Sequence, residues 1–153
     1  MTTNVRPGNA ADNKPIVKEV TVNAPVEKVW KAITDKDEMK KWYFNLKEFK
    51  PEVGFEFRFS GGPSPDRQYL HICEITEVVT NKKITYSWRY DGYPGKSFVT
   101  FELFEEGDST RIKLIHEGLE TFGTENKDFG KENFEAGWES IIKTSLKNYF
   151  ENK

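Results

Sequence analysis

The chain has 153 residues, a net charge of -2 from 23 Lys and Arg against 25 Asp and Glu, two histidines and one cysteine. Such a balance gives no broad attraction for nucleic acid or an anionic membrane, no stretch approaches the roughly 18 apolar residues of a spanning helix, and the few Cys and His lack the paired spacing of a metal site, so neither metal nor cofactor is expected. The length suits one domain that folds without a disulfide or metal, while a lone Cys73 and a first segment without an apolar centre make the cytoplasm the expected location.

Residues 1–13 mix Thr, Asn, Pro, Gly and Asp without apolar periodicity and are expected to form a flexible tail, leaving a single domain over 14–153. Ile16 to Val22 reads as a strand, with Val20 and Val22 on one face and Glu19 and Thr21 on the other. Ala24-Pro25 ends it, and Pro25 suits the first position of a helix. Val26, Val29, Trp30 and Ile33 then recur at helical spacing. Asp35 followed by Glu38 resembles a capping box opening a second short helix that carries Met39 and Trp42 inward.

From Phe44 to Glu117 the period changes to two and turn signals recur, as in an antiparallel meander. Phe55, Phe57 and Phe59 alternate with Glu56 and Arg58 before Gly61-Gly62-Pro63-Ser64-Pro65, which predicts a loop. The next strand covers Arg67 to Val79. Its preferred inner set is Tyr69, His71, Cys73 and Ile75, with Leu70, Ile72, Glu74 and Thr76 as the alternative. Asn81-Lys82-Lys83 turns the chain into Ile84, Tyr86, Trp88 and Tyr90, which alternate cleanly with Thr85, Ser87 and Arg89. A loop at Asp91–Gly95, a strand from Ser97 to Glu105, and a Gly107-Asp108 turn into Thr110 to His116 complete the run. The final helix covers about Phe129 to Phe150, with Phe134, Trp138, Ile141, Ile142, Ser145 and Tyr149 on one face. About 22 residues at 1.5 Å each reach some 33 Å, enough to cross a curved sheet.

Several short motifs stand in a specific order along this plan: Ala24-Pro25 with Val29-Trp30, Trp42, Gly54 before Phe55 to Phe59, Glu74-Ile75, and Ile84-Thr85-Tyr86-Ser87-Trp88. Thr110 and His116-Glu117-Gly118 follow, before Gly137-Trp138. On these residues the chain resembles the START-like (SRPBCC) helix-grip superfamily, and within it the family named after the activator of the ninety-kilodalton heat-shock protein ATPase. The similarity runs from about Lys14 to Phe150. It implies an α+β fold like that of the birch-pollen allergen: a curved sheet of six or seven antiparallel strands around a long C-terminal helix, two short helices after the first strand, and an internal cavity. The co-chaperones that gave the family its name carry a separate chaperone-binding domain ahead of this one, for which thirteen residues are too few.

Fourteen per cent of the residues are aromatic. Buried Tyr and Trp each bring a polar atom that seeks a partner, so a cluster of them can orient an apolar guest. Trp42, Phe57, Phe59, Tyr69, His71, Tyr86, Trp88, Tyr90, Phe134 and Trp138 are the expected ligand-facing set. The same residues would equally fill a sealed core. His71 and Cys73 share a strand face, which would bring a thiolate and an imidazole together, although a free cysteine is more often a small buried apolar residue. Glu74 and His116 are the acid and base that the family motifs single out. The expected partner is a small apolar or aromatic molecule; the alternatives are a stress-related, co-chaperone-like role with a chaperone or other protein as partner, and a cyclase-type or hydrolytic enzyme using Glu74 and His116.

Overall fold

The computed structural model describes residues 14–123 and 125–151, so the tail expected over 1–13 lies outside the described residues. Six strands form one antiparallel sheet: β1 (Ile16–Val22), β2 (Glu56–Ser64), β3 (Arg67–Val79), β4 (Lys83–Tyr90), β5 (Ser97–Glu106) and β6 (Ser109–Glu117). Their spatial order is β1-β6-β5-β4-β3-β2. Strands β2 to β6 make the expected meander, and β1 returns beside β6, with Ile16 opposite His116 and Val22 opposite Thr110. The two strands adjoining the helical connection therefore occupy opposite edges. Helices α1 (Val26–Thr34) and α2 (Lys36–Trp42) carry the chain between those edges. No helix of the described residues is long and apolar enough to cross a membrane.

Alternation of side chains along each strand decides which face is inside. Ile84, Tyr86, Trp88 and Tyr90 of β4 are all buried, as are Val99, Phe101 and Leu103 of β5 and Ile112, Leu114 and His116 of β6. On β3 the inner set includes His71, Cys73 and Ile75, while Glu74 is exposed. A bulge between Ile75 and Glu77 then changes the parity, so that Val78 packs against the core instead of Glu77.

Several local features differ from the sequence reading. Pro25 is extended, at φ -69° and ψ 158°, and caps α1 rather than opening it; its carbonyl accepts the N–H groups of Lys28 and Val29. Asp35 accepts the Asp37 N–H at 3.3 Å, but its own N–H closes α1 on the Lys31 carbonyl, so Glu38 has no amide there to receive in a reciprocal box. Glu38 instead accepts the Tyr149 hydroxyl at 2.6 Å, fastening α2 to the end of the chain.

Residues 61–64 are not a free loop: β2 continues through Ser64, with a register shift between Gly61 and Ser64. The glycines allow it. A Cβ on Gly62 would lie 1.8 Å from the Arg67 carbonyl oxygen, so only glycine permits this approach. Being at the sheet edge, β2 also tolerates Pro63, which cannot donate to a ladder.

The C-terminal helix starts two residues later than the spacing predicts. Lys127–Phe129 form a single 3-10 turn and Gly130 is extended; the helix then runs as α3 (Lys131–Ser140), a π-helical stretch (Ile141–Leu146) and α4 (Lys147–Glu151). Its buried row is Phe134, Trp138, Ile142 and Leu146, each four residues from the last. In a uniform α-helix such a row drifts by about 40° per step, because 3.6 residues complete a turn. The wider π stretch takes back that drift and keeps Leu146, rather than Ser145 alone, against the sheet. Lys18 of β1 bridges Glu135 and Glu139 at 2.9 Å each, fastening α3 to the sheet edge.

Candidate functional site

A cavity of about 350 Å³ lies between the C-terminal helix and the β2–β4 end of the sheet. Three layers of residues create it. His71, Trp88 and Tyr90 face it from the inner positions of β3 and β4. Phe134, Gly137, Trp138 and Ile141 face it from the helix, and Phe44 closes it from the segment after α2. A Cβ on Gly137 would meet nothing within 4 Å, so the missing side chain is part of the open space.

Five of the ten expected residues, His71, Trp88, Tyr90, Phe134 and Trp138, share this wall. The other five are placed elsewhere. Trp42 stacks on Tyr43 with ring centroids 4.9 Å apart and donates its Nε1–H to the Ala32 carbonyl at 2.9 Å. Phe57 packs between Phe49 and Tyr86, and Phe59 is sandwiched by Phe44 at 4.0 Å and His71 at 4.4 Å. The Tyr86 hydroxyl is hydrogen-bonded to that of Tyr43, and the half-buried Tyr69 packs on Phe129 and donates to Asp128 at 2.6 Å.

Sequence reasoning did not single out Phe44, Asp128, Asn133 or Ile141 for this role. Phe44 lies between α2 and β2, where no period marks it. Asp128 and Asn133 come from the far end of the chain, and only the fold brings them to the rim. Asp128 is held by a bidentate pair with Arg67 at 3.0 and 3.3 Å as well as by Tyr69. The Tyr69 hydrogen bond and then Arg67 hold its carboxyl below the usual carboxylate range. This clasp seats Phe129 flat on Tyr90, with centroids 4.2 Å apart and planes 13° off parallel. At Asp91–Gly95, Gly95 approaches the Thr121 carbonyl so closely that a Cβ would lie 2.6 Å from it, and Thr121 Oγ1 accepts the Lys96 N–H at 2.8 Å.

The polar atoms behind the wall form ordered chains. Trp138 Nε1–H donates to His116 Nδ1 at 2.9 Å, which leaves Nε2 as the protonated nitrogen facing Ser97 Oγ at 2.7 Å. Ser97 in turn donates to the Trp88 carbonyl at 3.1 Å. Every member of the chain is thereby satisfied with a neutral imidazole. His116 is wholly buried, and burial lowers its pKa to about 3. His71 directs Nδ1 at the Tyr69 carbonyl at 3.0 Å. Burial depresses its pKa to about 4 against the opposing pull of the Tyr69 and Phe59 carbonyls. Trp88 Nε1–H donates to the Tyr90 hydroxyl at 2.9 Å.

These environments bear on the acid–base and thiol readings. Glu74 lies on the outer face of the sheet and His116 inside it, so they do not meet. Cys73 is fully buried, and burial pushes its thiol up while depressing the neighbouring His71, the reverse of what a thiolate–imidazolium pair needs. Among the described residues no group of three or more His, Cys, Asp or Glu side chains is arranged to hold a metal ion.

Solved structures share this architecture. BH1534 of Bacillus halodurans is 29% identical, with 89% of this chain and 96% of that one aligned at a TM-score of 0.69. The Aha1 dimer from Colwellia psychrerythraea is 22% identical, with 89% and 95% coverage and a TM-score of 0.65. DynU16, a protein in the dynemicin biosynthetic locus, is 21% identical with a TM-score of 0.71; 90% of this chain is covered, but it spans about half of that protein, 47%. No curated protein is a significant match. Residues 23–151 match the profile of the "Activator of Hsp90 ATPase homolog 1-like protein" family, and with most of its length inside that profile the chain belongs to this family.

Proposed function

We propose that this protein binds a small apolar or aromatic molecule in the cavity between the sheet and the C-terminal helix, within the cytoplasm. The observation that carries the reading is the aromatic-walled space of about 350 Å³. Ligand pockets hold roughly 300–1,000 Å³, whereas a sealed core packs near a density of about 0.74 and keeps no such volume. Binding without turnover fits the chemistry behind the wall: both histidines are neutral, the thiol is unreactive and Glu74 faces away. Trp88 and Trp138 supply the largest apolar faces, and Tyr90 and His71 supply polar atoms that set orientation.

Titrating apolar aromatic compounds and lipids into the labelled protein tests this directly. The amides of Trp88, Tyr90, Phe134 and Trp138 should shift together while that of Lys82 stays fixed, and the melting temperature should rise by mass action. A broad panel that moves none of the four would sink the reading. A second reading, docking to a chaperone, rests on the family description and the likeness to Aha1. Retention of this chain by an immobilised ninety-kilodalton chaperone, undiminished by a cavity-filling substitution, would favour it instead.

A further inference from the structure

We infer that the cavity selects an uncharged apolar molecule bearing a hydroxyl group, which donates to His71 Nε2 and accepts from the Tyr90 hydroxyl. The inference rests on the binding reading above and specifies its chemistry. The two carbonyls that act on this ring, those of Tyr69 and Phe59, only accept, so the His71 nitrogen facing Tyr69 at 3.0 Å carries the ring's proton and Nε2 is left as an acceptor with no donor. An indole N–H only donates, so the Tyr90 oxygen is the acceptor of its 2.9 Å contact with Trp88 and the phenolic proton is left to give. Among the described residues nothing donates to that nitrogen or receives that proton.

Both groups are more than nine-tenths buried, with His71 6% and Tyr90 4% exposed, and both belong to the cavity wall. They are also direct cross-strand partners, with ring centroids 4.7 Å apart. A donor and an acceptor both left unfilled in one buried wall are costly. One hydroxyl supplies what both lack, because its hydrogen reaches the nitrogen while its oxygen takes the phenolic proton. A water molecule has the same complement, so a ligand hydroxyl replaces it without loss, whereas a plain hydrocarbon strands both groups or leaves the water beneath it.

Charge narrows the class further. The only charged side chain in the described wall is Asp128. Its carboxylate repels an anion, and its oxygens already receive Arg67 and Tyr69, which leaves little for a cation.

Four probes on one ring system read this at pH 7: naphthalene, 2-methoxynaphthalene, 2-naphthol and 2-naphthoate, followed by quenching of Trp88 and Trp138 fluorescence and by amide shifts. The expected order places 2-naphthol about tenfold or more above naphthalene, a ratio worth roughly 1.4 kcal/mol, with 2-methoxynaphthalene, whose ether oxygen can accept from Tyr90 but has no proton for His71, between them. The carboxylate should bind weakest. In Y90F and H71F the naphthol-to-naphthalene ratio should fall to about threefold or less, as one of two neutral hydrogen bonds is lost. If one variant fails to fold, the other gives the ratio. Equal binding of naphthol and naphthalene overturns the hydroxyl inference and leaves the cavity reading standing. An unchanged ratio in the folded variants overturns the assignment to His71 and Tyr90. Failure of every probe overturns the cavity reading and this inference with it.

Discussion

Trp138 Nε1 donates a 2.9 Å hydrogen bond to His116 Nδ1, joining the middle of the C-terminal helix to the inner face of β6. The bond fixes the tautomer of a wholly buried imidazole and so orders Ser97 and the Trp88 carbonyl beyond it. Substituting Trp138 by Phe keeps most of the ring contact but strands Nδ1, and should cost about 1–3 kcal/mol. Trp138→Ala also empties a large core volume and should cost about 3–5 kcal/mol. Urea denaturation of the pair separates the polar from the packing contribution.

Acid stability follows from the two buried histidines. Their folded pKa values, about 4 for His71 and about 3 for His116, lie below the ordinary 6.5. The unfolded chain therefore takes up protons first as pH falls, and stability present above 6.5 is lost progressively below it. Each histidine contributes a slope of roughly 1.4 kcal/mol per pH unit, ending near pH 4 for His71 and near pH 3 for His116. Between pH 6.5 and 5 the decline in urea stability should be steep, and H71F should remove about half of the histidine part. Imidazole C–H resonances of the folded protein should keep their neutral-form shifts across that interval.

Gly137 separates cavity volume from helix stability. Its position is helical, and an added Cβ meets nothing. Gly137→Ala should stabilise the protein by about 0.5–1 kcal/mol through backbone entropy alone. Gly137→Leu should project into the space and weaken the binding of naphthalene while the protein stays folded. Melting curves and the same fluorescence titration read both effects.

Asp128 holds the turn that seats Phe129 over Tyr90. Asp128→Ala removes the acceptor for both Arg67 and Tyr69. Hydrogen exchange at the amides of Phe129 and Gly130 should accelerate by about tenfold as local opening becomes easier. Protection in β5 and β6, which carry their own ladder, should be unchanged.

The sheet and the helical face were readable because each depends on local period. Ile84 to Tyr90 alternates without a fault, and every apolar member is buried. The bulge after Ile75 and the shift at Gly61 were not readable, since each depends on how a neighbouring strand is registered. For the same reason the interior was only half legible. Tyr86 and Trp88 sit two residues apart on one face, yet Tyr86 is spent on Tyr43, from a segment without a recognisable period, while Trp88 opens on the cavity. Phe129 reads as the first turn of a helix, but Gly130 breaks the backbone there and frees its ring to stack on Tyr90.

The π stretch at Ile141–Leu146 works like the coupling between two shafts. On one side, Phe134, Gly137 and Trp138 roof the cavity; on the other, Leu146 is sunk in the core and Tyr149 is fastened to Glu38. Because the phase correction sits between them, the roof can be recut by substitution without turning the anchor out of the sheet. A side chain added at Gly137, where nothing packs, therefore alters the guest's room while Leu146 and Tyr149 keep their places, whereas Trp138 serves pocket and scaffold at once.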